Sequence, residues 1–275
     1  MPETNSPRSS ARSLLLTALG EFVLPNGPAW TSALVRLLGS LGVEEKTARQ
    51  ALSRTAADGW LAGERDGRRV RWSLTARGRR LLSEGAERIY ALGTERQAWD
   101  GRWLVLTVTV PESQRSLRHR LQTKLTWAGL GNPAQGLWVT PHAEREAEVK
   151  EVVAELGLGA SAFSFTGPFA GVGEEASLVR RAWDLDAVAH RYEDFLAAFA
   201  GVARPGSGDA LLAAQTRLVH EWRRFPFLDP QLPDELLPPQ WTGRTASARF
   251  HELHDRWSDR AQQRWADLND QGGRP

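Results

Sequence analysis

The stretch Glu44–Trp60, EEKTARQALSRTAADGW, most narrows what this chain can fold into. Read at helical spacing, it sorts by chemistry. Lys46, Arg49, Gln50, Ser53 and Arg54 fall on one side, and Ala48, Ala51, Leu52, Thr55 and Ala56 on the other. The apolar side must dock on a small domain. The polar side suits the major groove of a duplex, where guanidinium and amide groups make paired hydrogen bonds to purine edges. A merely solvated helix carries the same pattern, so its neighbours decide between the two.

Those neighbours are informative. Ser10–Phe22 places Leu14, Leu15, Ala18 and Leu19 at helical spacing, and Pro25-Asn26-Gly27-Pro28 is expected to end that helix. Thr31–Leu41 predicts a second helix with Leu34, Leu37, Leu38 and Leu41 on one side, starting at an N-cap candidate. Gly42 makes the turn into the polar-faced helix, which gives a helix-turn-helix order. After Gly59, two alternating segments flank Asp66-Gly67, a hairpin signal in which both residues tolerate positive φ. Arg65, Arg68, Arg69 and Arg71 fringe it, and a basic hairpin beside a recognition helix can reach the phosphate backbone. Thr75–Leu92 returns to helix.

Charge supports this reading. The formal net charge is +2, yet residues 1–99 hold 15 basic and 10 acidic residues and the remainder 20 and 23. Within 44–80 the basic residues number 10 against 5 acidic ones, the footprint expected when one module meets phosphates. The absence of cysteine removes disulfides, thiol catalysis and the usual structural zinc sites. No apolar run approaches the roughly 20 residues of a spanning helix, and Met1–Ser10 lacks a basic-then-apolar leader pattern, so a cytoplasmic protein away from membranes is expected.

From Trp99 the character changes. Arg102–Val110, RWLVLTVTV, reads as a strand, followed by a helix over Ser113–Trp127. A weakly signalled strand near Ala128–Gly131, a strand at Gly136–Pro141, a helix at Glu144–Leu156 and a strand at Ala160–Thr166 complete a β-α-β-β-α-β order, that of a ferredoxin-like unit. The last third reads as helices at Val179–Phe199, Ala210–Arg224 and Thr245–Leu268, with a loop at Ala200–Asp209 and a proline-rich extended stretch at Phe225–Gln240. The expected fold is α+β. It divides into a loose tail (1–10), a winged helix-turn-helix (11–98), a ferredoxin-like domain (99–175) and a helical domain (176–275).

With those segments assigned, the chain resembles the PaaX family of bacterial regulators along nearly its whole length. The resemblance is carried by TARQALSRTAADGWL and LTARGRRLL, by WDGRWLVLTVTVPE, RSLRHRLQTKLTWAGLG and GLWVTP, and by AWDLDAVAHRYEDFL. Its most distinctive segment is EWRRFPFLDPQLPDELLPPQWTGRTA. The resemblance implies a winged helix, a central Cas2-like ferredoxin fold and a helical C-terminal domain. It further implies a dimeric repressor of operator DNA that an acyl-CoA such as phenylacetyl-CoA releases. Thr55-Ala56 depart from the expected pattern of the recognition helix.

On this reading Lys46, Thr47, Arg49, Gln50, Ser53 and Arg54 face the bases, and Arg65, Arg68, Arg69 and Arg71 serve the backbone. An acyl-CoA needs cations for phosphates and an aromatic slot, and Trp222, Arg223, Arg224, Trp241 and Arg244 offer both. The rival is a metal-dependent nuclease of Cas2-like type. That chemistry needs carboxylates at the end of the first central strand, and Trp103–Val110 carries none; Asp100 precedes it and Glu112 follows. His251, His254 and Asp255 have metal-compatible spacing, but a polar helix face is the more ordinary reading. No catalytic residue, metal or cofactor is expected.

Overall fold

The computed structural model describes residues 10–94, 98–202 and 206–273. The expected tail therefore lies, but for Ser10, outside the described residues, as do positions 203–205 of the expected loop at Ala200–Asp209. Packing groups the chain into two compact units. One comprises Met1–Ala91, Phe195–Arg224 and Ala246–Pro275; the other comprises Leu92–Asp194 and Phe225–Thr245. The helical third read from sequence as one segment is thus shared between them.

The first unit opens with α1 (Ala11–Ala18), capped by Ser10, whose hydroxyl accepts from Ser13 N at 3.1 Å. The helix runs past Phe22 but ends within Pro25–Pro28, as expected. It widens into a π-helical stretch, Leu19–Val23, and continues through α2 (Leu24–Asn26), ending at Gly27. Pro25 has no N–H to give to the preceding turn. The carbonyl of Glu21 instead accepts from Gln262 Nε2 at 2.9 Å. A short strand absent from the sequence reading follows, β1 (Ala29–Trp30), then α3 (Thr31–Ser40) and α4 (Glu45–Ala57). The hairpin consists of β2 (Leu61–Asp66) and β3 (Arg69–Leu74), antiparallel, with β1 added on the β3 side. Helix α5 (Ala76–Ala91) comes next.

The second unit holds the sheet. β4 (Arg102–Val108), α6 (Arg115–Trp127), β5 (Gly131–Ala134), β6 (Leu137–Thr140), α7 (Glu146–Glu155) and β7 (Ala162–Pro168) form a four-stranded antiparallel sheet in the order β5-β6-β4-β7. This is the ferredoxin-like arrangement. Leu104, Leu106 and Val108 of β4 meet Leu121 and Leu125 of α6 and Val149 and Val152 of α7 in one core. β5 begins three residues later than expected; Asn132 and Pro133 give it no strand signature.

The expected helix Val179–Phe199 is two, α8 (Glu175–Ala182) and α9 (Leu185–Phe199), interrupted at Trp183-Asp184, where Asp184 Oδ1 accepts from Ala187 N at 3.0 Å. α10 (Asp209–Trp222), the short α11 (Phe225–Leu228) and α12 (Thr242–Gly272, 31 residues) complete the chain. In the first unit Phe22, Trp222, Phe250, Trp257 and Trp265 are fully buried, with Phe22 stacked on Trp265 at 5.4 Å. Among the described residues no helix is long and apolar enough to cross a membrane.

Candidate nucleic-acid interface

Helix α4 is positioned by a turn that only a flexible residue makes easily. Gly42 has φ +84°, and Val43 N returns to Leu38 O at 3.0 Å, which closes the end of α3. The underside of α4 consists of Ala48, Ala51, Leu52 and Thr55, all buried. Small side chains there let α4 lie close on α1 and α3. The unexpected Thr55 has a physical account. Its buried hydroxyl donates to Ala51 O at 2.8 Å, so it fills an apolar position without leaving a polar group unpaired.

The opposite face is free. Lys46, Thr47, Arg49, Gln50, Ser53 and Arg54 are all exposed, and all of these except Thr47 line one open depression together with Glu45. Arg49 pairs with Glu45 one turn back at 2.8 Å. An exposed pair of this kind is worth about 0–1 kcal/mol, so a nucleic acid can take the guanidinium at small cost.

The hairpin turns one residue later than its sequence suggests. Asp66 pairs with Arg69, leaving Gly67 and Arg68 as the central residues. Gly67 has φ +60° and Arg68 does not share a positive φ, as in a type II′ turn. Arg65, Arg68 and Arg71 are exposed. Arg69 is not: it is half-buried, donating to Gly273 O and, at 3.0 Å, to Asp66 Oδ2, with its guanidinium over the Trp30 ring at 4.9 Å. Of the four hairpin arginines, it alone is committed to contacts of this number.

A cleft of about 430 Å³ joins the two elements, lined by Arg49 of α4, Arg68 and Arg69 of the hairpin, the N-terminal turn of α3 and Arg36. Arg36 was missed from sequence, where α3 speaks only through its leucines. It is held by Asp209 at 2.7 Å, and Asp209 also accepts from Arg264 at 2.6 Å. Burial works against that carboxylate, but the two guanidinium groups outweigh it and hold the Asp209 carboxyl below its usual range.

The residues expected to receive an effector each have partners within the protein. Trp222 is fully buried, stacked on Phe250 at 4.7 Å, and its indole N–H donates to Ile89 O at 3.0 Å. Arg223 donates to Ser13 Oγ at 2.7 Å, and Arg224 pairs with Glu221 at 3.2 Å. In the second unit Trp241 is buried edge-on to Tyr192, and Arg244 pairs with Asp234 at 2.7 Å. The aromatic rings of this set are filled into cores, so the expected open slot does not form from them. The proline-rich motif FPFLDPQLP is likewise explained by packing. Phe225 stacks on Tyr192 at 4.1 Å, and the Tyr192 hydroxyl donates to Asp229 at 2.6 Å.

His254 of the candidate metal pair has another partner. Its Nε2 lies 3.2 Å from Glu21 Oε1 on the π-helical turn, and the same carboxylate accepts from Gln215 Nε2 at 2.8 Å and from the Tyr90 hydroxyl. Burial alone would neutralise both members. Their mutual pairing outweighs it, holding Glu21 below and His254 above its usual value. Among the described residues no group of three acidic or histidine side chains is placed to hold a metal ion. Asp100, the nuclease candidate, accepts from Arg102 N at 2.9 Å at the entry to β4.

Three family models match the chain: "PaaX-like protein" over residues 10–78, "PaaX protein central Cas2-like domain" over 96–179, and "PaaX-like protein C-terminal domain" over 183–267. The chain is 31% identical to the transcriptional repressor PaaX of Escherichia coli strain K12 over 263 residues, covering 92% of this chain and 82% of that protein. Its fold is similar to that of the uncharacterized protein Rv0674 from Mycobacterium tuberculosis. That likeness has a TM-score of 0.63 at 24% identity and covers 96% of this chain and 99% of the other. Matched in its N-terminal, central and C-terminal parts and 31% identical to a PaaX repressor over most of its length, the chain belongs to the PaaX family.

Proposed function

We propose that this protein is a transcriptional regulator that binds duplex DNA through α4 and the β2–β3 hairpin, acting as a dimeric repressor. One observation carries the reading: α4 buries Ala48, Ala51, Leu52 and Thr55 on one face and leaves Lys46, Thr47, Arg49, Gln50, Ser53 and Arg54 exposed on the other. A helix so arranged enters the major groove with its side chains toward base edges. Arg65, Arg68 and Arg71 supply backbone contacts beside it, and two protomers read half-sites about one helical turn apart, or a multiple of that. The similarity to a named transcriptional repressor supports the same direction of control.

The family resemblance implies release by an acyl-CoA. A cavity of about 980 Å³ within the second unit suits the acyl group better than the buried rings of Trp222 and Trp241. Val179, Trp183, Leu236, Leu237 and Pro238 give it an apolar wall, and Arg180 and Arg181 stand near. Glu175, Asp184, Asp186 and Glu235 share the lining and weigh against deep burial of the phosphates. Effector binding there stabilises a conformer of lower DNA affinity. Footprinting the promoter beside the chain's own gene, with and without phenylacetyl-CoA, tests the reading. A protected palindromic site lost on adding the thioester is expected, and absence of any protected site contradicts it. Incubation with Mg²⁺ or Mn²⁺ is expected to leave the duplex intact; cleavage abolished by Asp100→Ala would favour a nuclease.

A further inference from the structure

Burial does little to hold the β2–β3 hairpin in place. Along β2 only Leu61 is buried, and the five residues to Asp66 are exposed. β1 and Thr31 support the middle of β3, pairing with Arg71 and Trp72 and bonding Val70 O and the Trp72 indole. Yet β1 has only two residues, and a ribbon is marginal in water without such support. Nearer the tip the side-chain contacts converge on Arg69, the first residue of β3. One arm of its guanidinium donates to Gly273 O, another to Asp66, and its plane covers Trp30. Gly273 follows directly on α12, whose last carbonyls lack intrahelical donors and carry the negative end of the helix dipole. Arg69 therefore caps a helix 204 residues away in sequence.

The end of α12 is built for the approach. Asn269 grips the β1 segment twice: its Oδ1 accepts from Trp30 N at 2.9 Å, and its Nδ2 donates to Pro28 O at 3.1 Å. A Cβ on Gly272 would stand 2.7 Å from Ser32 Oγ and 3.0 Å from Trp30 Cβ; one on Gly273 would stand 2.7 Å from Trp30 Nε1. Glycine at both positions lets the backbone come within reach of Arg69.

We infer that Arg69 is a positioning residue that seats the arginine-bearing hairpin on the C-terminal end of α12, so that this helix end sets where Arg65, Arg68 and Arg71 are presented, while Arg69 itself touches no phosphate. The consequence for affinity rests on the DNA-binding reading above; the anchoring does not require DNA. Two measurements on the full chain separate them. The first is hydrogen exchange of Leu61–Leu74 without DNA, in Arg69→Ala, Arg69→Lys, Gly272→Leu and Arg68→Ala. The second is affinity for a promoter duplex between roughly 50 and 200 mM salt.

The Arg69 and Gly272 variants are expected to exchange faster in the hairpin and to lose about tenfold in affinity with the salt slope unchanged, whereas Arg68→Ala flattens the slope by about one and leaves exchange alone. Arg69→Lys is decisive because it keeps the charge a phosphate needs but loses the planar fork. A slope lowered by about one in Arg69→Ala with hairpin exchange unmoved would overturn the inference. So would wild-type behaviour of Gly272→Leu in both measurements. If wild-type protein binds no duplex while the exchange shifts appear, the DNA reading fails and the anchor stands.

Discussion

The outer face of α4 and the tryptophan–arginine set around Trp222 and Trp241 contain side chains of similar promise and meet opposite fates. On α4 the guanidinium and amide groups stand clear of the fold above a layer of Ala48, Ala51, Leu52 and Thr55. Trp222 and Trp241 are buried, and Arg223, Arg224 and Arg244 are engaged by Ser13, Glu221 and Asp234. The difference lies in the residues underneath rather than in the functional groups themselves. A helix seated on alanines, one leucine and one threonine holds its long polar side chains outward, while a tryptophan needs a cavity of its own size and draws its neighbours inward.

That comparison can be broken most easily where the expected effect is largest. Trp222→Ala empties a fully buried site and removes a hydrogen bond to Ile89, and should cost about 3–5 kcal/mol in denaturant unfolding. Unchanged stability with a lost effector response would return Trp222 to a binding role. Next, Arg54→Ala should leave the unfolding midpoint alone and cost about 1–3 kcal/mol of discrimination between promoter and random duplex, measured by competition gel shift. Smaller still, Arg68→Ala should weaken both duplexes alike and reduce the salt slope by about one.

The smallest expected effect concerns pH and the buried Glu21–His254 pair. Its carboxyl is held below its usual value of 4.5, so the Glu21 contribution is complete above that pH and is lost as pH falls through the depressed folded value. His254 is held above its usual 6.5, so its contribution is complete below that pH and is lost as pH rises through the raised folded value. The pair therefore steadies the first unit most between these two values. Thermal melts from pH 6 upward should show wild-type protein losing a stabilisation that His254→Gln never has; parallel curves would remove the pair from the account. His220 runs the other way. Burial, then Arg223 and Arg224, push it down to about 4, so it disfavours folding as pH falls below its ordinary value.

What was legible in the sequence follows the same division. The face of α4 was readable because Ala48, Ala51, Leu52 and Thr55 repeat at helical spacing, and the ferredoxin-like order because Arg102–Val108 alternates over a full strand. Two-residue β1 has no room for alternation, and β5 hides behind Asn132 and Pro133. Pro25–Pro28 reads as a stop, and the helix does end at Gly27; that Gln262 satisfies the Glu21 carbonyl, 241 residues before it, has no local signal. Arg69 looks like its neighbours in sequence. Only the distant end of α12 distinguishes it, and no local pattern encodes that partner.

The central claim is that the exposed side of α4 reads base sequence. Its most direct test is the ratio of affinities for the footprinted promoter site and for random duplex, at fixed salt, in wild-type protein and in the Arg49→Ala/Gln50→Ala double variant. With melting temperature unchanged, the ratio is predicted to fall by about tenfold or more, the loss of at least one paired contact to a base. A double variant that melts normally and keeps the wild-type ratio would contradict it.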